Sequence, residues 1–524
     1  MHAVGLVLLL VVLGTTVATG ARRWSVPAPS LLVLAGVGVA LIPGVPALHI
    51  APETIGLVVL PPLLYASAEE LSLRDLRTVW RPVAVLAFGL VLASAAVVGV
   101  LASVLTPLTG SMAFVLGAVL ASTDPVAVTA LGRRLSLPGR VQVLVQAESL
   151  FNDATSLVLF KVALGVAVAG GAVDRQAAVG GFVLLAGGGS AVGAAVAGLV
   201  ALIRRRTTDP VLETVIALAT PYGAYVLAES AHASGVTAVV VAGVLLGRSG
   251  HRLTDARIRL QLEAVYAVVV FGLESVVFAV VGLELPTLVR ELPGGSGGWP
   301  LQALAVALVL IALRVLWMLP LSATVKPDRG LSSLRVAGVV TWAGTRGVMP
   351  LAAALSIPLV ADGGQPLPGR PLVLVLTTAV VVFTLVVQGL SLAGVVNRSG
   401  LAVAPGQSAR EEARARKALA EAGLAHLDRL TDLESAPGPA LERARRNLEA
   451  RLDQAEEAEE QDPGTAVSPD GIPLLVAYRD LRRDIVALQG AELRRLYDEH
   501  RVSETTRRRL QRDLDLEDAA LDNR

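Results

Sequence analysis

The sequence predicts an all-α polytopic membrane protein followed by a charged helical tail. Three observations predict it. The 524 residues are 53% hydrophobic and only 17% charged, with a mean hydropathy of +0.64, a balance that fits lipid-facing helices and not a soluble core. Thirteen apolar segments can be drawn, each near the length that a hydrocarbon layer of about 30 Å requires. The charges are unevenly placed: 21 Lys and Arg and 26 Asp and Glu lie after Asn397, so more than half of all charges occupy the last quarter of the chain. This divides the chain into a membrane domain, 1–397, and a charged helical C-terminal domain, 398–524.

The apolar segments centre on 3–20, 30–43, 53–67, 82–105, 111–131, 141–168, 177–203, 211–228, 234–247, 264–289, 300–325, 335–358 and 371–396. The first has no Lys or Arg before it and is followed by Arg22-Arg23, which reads as a spanning helix with its N-terminus outside; a cleaved leader is the alternative. The connecting loops test the count. Alternate loops 21–27, 69–81, 132–140, 204–210, 248–259 and 326–335 carry 18 Lys and Arg, and the opposite set carries 3. By the positive-inside rule the first set is cytoplasmic, and thirteen spans leave the tail in the cytoplasm. The glycine-rich run at 180–200 is read as a helix-packing surface. Without a Walker motif or other nucleotide loop, the driving force is an ion gradient. The absence of cysteine excludes disulfides and thiolate ligands. After Asn397, two Ala/Leu/Glu/Arg-rich stretches are separated by APGPA. A Pro-rich loop at Gln461–Pro473 follows, and helical spacing resumes from Leu474. Arg507-Arg508-Arg509 lies among acids and reads as a solvated face, and the interleaved signs show no nucleic-acid surface.

Against this apolar background one stretch stands out, Ala121 to Lys161: ASTDPVAVTALGRRLSLPGRVQVLVQAESLFNDATSLVLFK. An ionised side chain at the bilayer centre costs about 2.5–3.5 kcal/mol on insertion scales, so Asp124, Glu148 and Asp153 need a reason. Glu148 and Asn152 are four apart, as are Ser149 and Asp153, which makes two adjacent stripes on one helical face. Pro125 removes a backbone donor and predicts a break beside Thr123 and Asp124. Broken membrane helices are tolerated where freed carbonyls line a cavity. Oxygen ligands without Cys or His suit Na⁺, K⁺ or H⁺. The plainer reading makes these residues helix-to-helix glue.

T-D-P followed by E-S-x-x-N-D resembles the monovalent cation:proton antiporter superfamily, in its sodium/proton exchanger branch. Glu274-Ser275-Val276-Val277-Phe278 with Gly282-Leu283, Arg314, and Gly344-Thr345-Arg346-Gly347 extend the resemblance over roughly residues 1–397. It implies that Asp153 carries the cation (Na⁺ foremost) or the proton, shaped by Thr123, Ser149 and Asn152, with Asp124 beside it. It implies a Glu148–Arg346 ion pair, an inverted six-plus-six repeat with one extra helix, a homodimer, and no cofactor. An Asn-Asp pair goes with electroneutral exchange in that superfamily, so one cation per proton is implied. Under the repeat, the second break falls in the twelfth segment at Gly344, Gly347 and Pro350, with Gln388-Gly389 as a rival place.

Other residues are weighed singly. Arg346 needs an anion, for which Glu148 and Glu274 compete. Glu274 and Arg314 are pathway candidates, and Glu274 has an equal case as a packing residue. Lys161 lies about two turns beyond Asp153, where snorkelling is a sufficient explanation. His49, His232 and His251 read as loop or helix-end residues. Together with the resemblance, these residues point to a plasma-membrane antiporter exchanging Na⁺ for H⁺ by alternating access. A K⁺/H⁺ antiporter of the same fold and a gated cation channel are the alternatives. An intramembrane hydrolase lacks a Ser/His or metal-binding constellation.

Overall fold

The computed structural model describes residues 28–42, 52–71, 73–124, 139–169, 175–207, 209–253, 256–292, 297–322, 333–361, 364–400, 405–432, 438–460 and 474–499, with scattered positions in 12–20 and 501–516. Among the described residues the elements are helices: α1 (Ala28–Ala40), α2 (Pro52–Glu69), α3 (Leu73–Ala84), α4 (Val91–Leu105), α5 (Gly110–Leu120), α6 (Gly139–Val168), α7 (Arg175–Arg204), α8 (Pro210–Ser230), α9 (Gly235–Leu253), α10 (Ala256–Arg290), α11 (Trp299–Ser322), α12 (Ser333–Trp342), α13 (Val348–Leu355) and α14 (Arg370–Ser399). A π-turn at Val85–Leu90 joins α3 to α4, just after Pro82, whose missing N–H loosens the regular ladder. Helices thus occupy every apolar segment from 30–43 onward. Among the described residues seven helices are long and apolar enough to cross a bilayer. Most of the first segment, Pro125, the 132–138 turn, His49, Arg508, Arg509 and the 461–473 loop lie outside the described residues.

The chain forms two compact units, Met1–Val403 and Ala404–Arg524. In the second, α15 (Pro405–Asp432) and α16 (Gly438–Glu460) form a hairpin, with Leu448 packed over Gly423. Lys417 pairs with Glu456 at 2.8 Å, and Arg445 pairs with Asp428. Such exposed pairs contribute about 0–1 kcal/mol each, so the apolar seam holds the hairpin. A further helix, α17 (Leu474–Asp498), follows.

Within the first unit the helices associate as two bundles. One comprises α1, α2 and α7 to α10; the other comprises α3 to α6 and α11 to α14. Lipid is as apolar as Leu, so close backbone approach and dispersion carry much of this packing. Glycine permits the approach. A Cβ on Gly193 would lie 2.3 Å from the carbonyl oxygen of Ala238, joining α7 to α9, and Gly189 meets Ser234 in the same way. In the 180–200 run the packing surface is thus Gly188, Gly189 and Gly193, whereas nothing lies within 4 Å of a Cβ on Gly180, Gly181, Gly187 or Gly198. Gly36 of α1 meets Gly282 of α10, and Gly117 of α5 meets Gly99 of α4.

Gly193 and Gly198 provide a matched test, because nothing lies within 4 Å of a Cβ on Gly198. Gly193→Val should separate α7 from α9, cost about 1–3 kcal/mol, and lower the melting temperature in detergent. Gly198→Ala should leave it unchanged. Equal melting temperatures for both variants would remove the close approach as the reason for glycine.

Candidate functional site

Two helices stop inside the second bundle, and their ends meet. Helix α5 ends at Leu120 and the chain runs on as an extended strand to Asp124; α12 ends at Trp342 and α13 begins at Val348. The two interruptions run antiparallel: the Asp124 N–H donates to the Thr345 carbonyl at 2.8 Å, and Thr345 Oγ1 donates to the Asp124 carbonyl at 3.0 Å. The glycines of G-T-R-G explain the proximity. A Cβ on Gly344 would lie 2.4 Å from Arg314 Nε, and one on Gly347 would overlap the Asp124 carboxyl group. Of the two rival places for the second break, the structure uses 343–347, while α14 runs unbroken through Gln388-Gly389.

Helix α6 supplies what the interrupted backbone lacks. Ser149 Oγ donates to the Thr123 carbonyl at 2.5 Å, and Asn152 Nδ2 donates to Thr123 Oγ1 at 2.5 Å. The Thr123 N–H in turn donates to Asn152 Oδ1 at 3.0 Å, and Ser156 Oγ donates to the Ala118 carbonyl at 2.8 Å. Ser149, Asn152 and Ser156 follow i, i+3, i+7 spacing, one stripe of the helix. The partners lie in the last turn of α5 and the non-helical residues after it; the Ala118 carbonyl also accepts the Ala121 N–H at 3.3 Å. Ser156 was not singled out in the sequence, although its spacing from Ser149 was a usable signal.

Arg346 does the same for the helix ends. Its Nε donates to the Leu120 carbonyl at 2.8 Å and Nη1 to the Gly344 carbonyl at 2.9 Å, while its backbone N–H donates to Thr384 Oγ1 at 3.1 Å. Those carbonyls terminate α5 and lie just past α12, the negative ends of both helices, so a cation between them is favourable. The guanidinium is thereby committed, and the expected Glu148–Arg346 pair does not form. Glu148 is held instead by Arg314 through a two-pronged contact, Nη1 to Oε1 at 2.6 Å and Nη2 to Oε2 at 3.0 Å. Arg314 Nη2 also donates to the Val340 carbonyl at 3.1 Å. The physical reason is angular: Glu148 is one residue, about 100° around the helix, from Ser149. It faces α11 and α12 while the Ser149 stripe faces the extended strand. Arg314, expected only as a pathway candidate, is the partner.

Asp153 remains. It is buried, 7% exposed, and its Oδ1 has no hydrogen-bond partner. The Ser122 hydroxyl, also buried, is the neighbouring side chain placed to donate to the Asp153 carboxylate, although the contact falls outside strict hydrogen-bond geometry, and Asp124 and Arg346 lie within electrostatic reach. Glu274 approaches from α10 of the other bundle, with Asp124 as its charged neighbour. Among the described residues no cluster of three or more His, Cys, Asp or Glu is suited to a resident metal ion. Thr123, Asp124, Ser149, Asn152 and Asp153 come together as expected; Glu148 and Arg346 flank them with different partners.

A bundle with two interrupted helices meeting beside a buried carboxylate is the architecture of a secondary transporter. Residues 7–398 match the model of the sodium/hydrogen exchanger transmembrane family, and the chain belongs to that family. It is 38% identical over 397 residues to an Na⁺/H⁺ exchanger of Mycobacterium bovis, covering 74% of this chain and 72% of that one. It is 31% identical over 405 residues to the Na⁺/H⁺ antiporter ApNhaP of Aphanothece halophytica, covering 77% and 75%. Its fold is that of the sodium proton antiporter MjNhaP1 of Methanocaldococcus jannaschii, with a TM-score of 0.61 at 22% identity over 77% of this chain and 98% of that one.

The corrected ion pair makes a prediction. Removing one partner of a buried pair costs about 3–5 kcal/mol, so Glu148→Gln and Arg314→Gln should each lower thermal stability in detergent strongly. The double variant should lose less than the sum, giving a large coupling. The Glu148–Arg346 cycle should show the smaller coupling of the two; the reverse order would restore the pairing expected from sequence.

Proposed function

We propose that the protein is a secondary antiporter that exchanges Na⁺ for H⁺ by alternating access, with Asp153 as the group both ions share. The carrying observation is the unpartnered Asp153 Oδ1, buried beside Ser122 and Asp124 where the two helices are interrupted. A proton and a bound cation each neutralise the same carboxylate, and they exclude one another there. The group therefore holds one ion or the other, and that competition couples the two flows. Ser122 Oγ and the Asp124 carboxylate supply further hard oxygen ligands, which suits an alkali cation. Thr123, Ser149 and Asn152 position the strand, and Glu274 lies on the path from the other bundle. No cofactor enters this cycle; the ions are substrates.

Asn152 supports one cation per proton. Its amide is neutral and is spent on Thr123, which leaves Asp153 as the exchanging charge and makes the cycle electroneutral. K⁺ is the second reading for the cation, since the same oxygens serve it in a wider cavity. The loop charges support insertion in the plasma membrane with the N-terminus outside and the tail unit in the cytoplasm. A homodimer and a part in pH homeostasis complete the proposal.

Proteoliposomes with a trapped pH dye test it. Asp153→Asn keeps the shape and should abolish Na⁺-dependent proton movement; substantial residual exchange would remove Asp153 from the role. With wild-type protein, an imposed K⁺/valinomycin potential should leave the Na⁺-driven rate unchanged, whereas a clear rate change with proton leak controlled would show net charge movement. Truncation after Val403, at the boundary of the compact units, should spare exchange and shift its pH profile. A folded, inserted but inactive truncation would make the tail part of the transport core.

A further inference from the structure

Lys161 belongs to α6, eight residues and about 12 Å along the helix from Asp153. Snorkelling accounts for such a lysine if its ammonium reaches only water and headgroups. In the structure it reaches a protein partner instead: Nζ pairs with Glu229 Oε1 and lies 5.5 Å from the centroid of the Tyr225 ring. Lys161 stands on the helix that carries the site. Glu229 and Tyr225 stand on α8, which packs against α2, α7, α9 and α10 of the first bundle. This ion pair therefore ties one bundle to the other.

Glu229 is fixed without Lys161. The turn after α8 is a Schellman motif: the Ala233 N–H donates to the Ala228 carbonyl at 2.8 Å and the His232 N–H to the Glu229 carbonyl at 3.0 Å. His232 takes the left-handed residue at φ 54° that the motif requires. The Glu229 carboxylate also accepts the Gly235 N–H at 2.9 Å, at the positive N-terminal end of α9. A Cβ on Gly235 would strike both the Tyr225 ring and Glu229 Oε1. When the pair opens, Glu229 keeps its backbone donor, and Lys161, one-quarter exposed, has water within reach. Opening leaves no buried lone charge.

The contrast with Glu148–Arg314 is informative. That pair is bidentate, nearly inaccessible and internal to one bundle, so it lasts through any motion between bundles. Lys161–Glu229 is single-pronged, with side chains 25% and 38% exposed, and it spans the bundles. We propose that Lys161 and Glu229 form a reversible latch that closes the membrane face bearing the α8–α9 turn and opens once in every exchange cycle. This rests on the alternating-access reading, in which the bundle carrying Asp153 moves against the other.

The chain has no native cysteine, so the full-length Lys161→Cys/Glu229→Cys variant places the only two thiols across the latch. In proteoliposomes, bridging them with a bifunctional thiol reagent that carries a reducible link, since a direct disulfide needs Cα atoms within about 7 Å, should reduce Na⁺/H⁺ exchange more than tenfold, and cleaving the link should restore it. Undiminished exchange by fully cross-linked protein would overturn the latch. The single variants Glu229→Gln and Lys161→Met should shift the equilibrium towards the state open at the α8–α9 face. The apparent KM for Na⁺ offered at that face, measured in vesicles of known orientation, should fall two- to fivefold, the range of a partly exposed pair. A KM unchanged at both faces in both variants would leave the pair merely structural and overturn the proposal. Should the double-cysteine variant be inactive when reduced, the charge exchange Lys161→Glu/Glu229→Lys decides: activity above that of either single reversal supports the latch, and none opposes it. Wild-type protein without Na⁺/H⁺ exchange would refute the antiporter reading separately.

Discussion

The membrane domain depends on one constraint: backbone groups released where two helices stop at membrane depth must find partners, because lipid offers none. An unpaired peptide group there costs several kcal/mol. Each residue around the interruption answers this demand. Thr345 and Asp124 bridge the strands, Asn152 and Ser149 take up Thr123, Ser156 takes the Ala118 carbonyl, and Arg346 takes Leu120 and Gly344. Most polar side chains in this region are thus structural partners of the backbone. Asp153 Oδ1 and Ser122 Oγ are among the buried groups that the scheme leaves over, and they lie beside one another.

Much of this was legible in the sequence. Apolar run length placed the membrane helices, and polar residues in an apolar helix identified α6 and the strand before it, because burying them without purpose is costly. The break at G-T-R-G was legible as one of two places, since glycine and proline mark both possibilities equally well. Pairing was not legible. Glu148, Arg314 and Arg346 are all buried charges, and helical spacing constrains only residues on the same helix. Which guanidinium faces which carboxylate depends on the rotation of α6 against α11 and α12. The resemblance chose Arg346; the freed carbonyls of α5 and α12 claim it instead. The Lys161 contact escaped for the same reason, because Glu229 is remote in sequence and sits at a helix end.

The two bundles differ in how they are held. Within each, glycine-mediated backbone approach joins helices, as at Gly99–Gly117 and Gly36–Gly282, and such contacts do not slide without clashes. Between them, α6 meets α7 and α9, and α13 and α14 meet α2 and α10. Two polar ties bridge α6 to the first bundle on either side of Asp153: Lys161–Glu229, and Gln146 Nε2 donating to Glu70 Oε2 at 3.4 Å. Both involve exposed or half-exposed groups that water can replace. Rigid interiors and replaceable ties suit relative motion of whole bundles, as in rigid-body transitions between two packed arrangements.

The same energetics explain how such a motion stays coupled. A bare carboxylate moved through a closed, water-free state bears a desolvation penalty of several kcal/mol. Asp153 makes no direct ion pair: the Arg346 guanidinium lies within electrostatic reach but donates to carbonyls, and Arg314 holds Glu148. In the proposed cycle the ionised, empty site would be the costly traveller, and a proton or a cation on Asp153 would lower that cost, so that loaded forms would cross more readily than the empty one. With both arginines hydrogen-bonded to other partners, Asp153 is left as the carboxylate that, in the proposed cycle, a proton or a cation would have to neutralise.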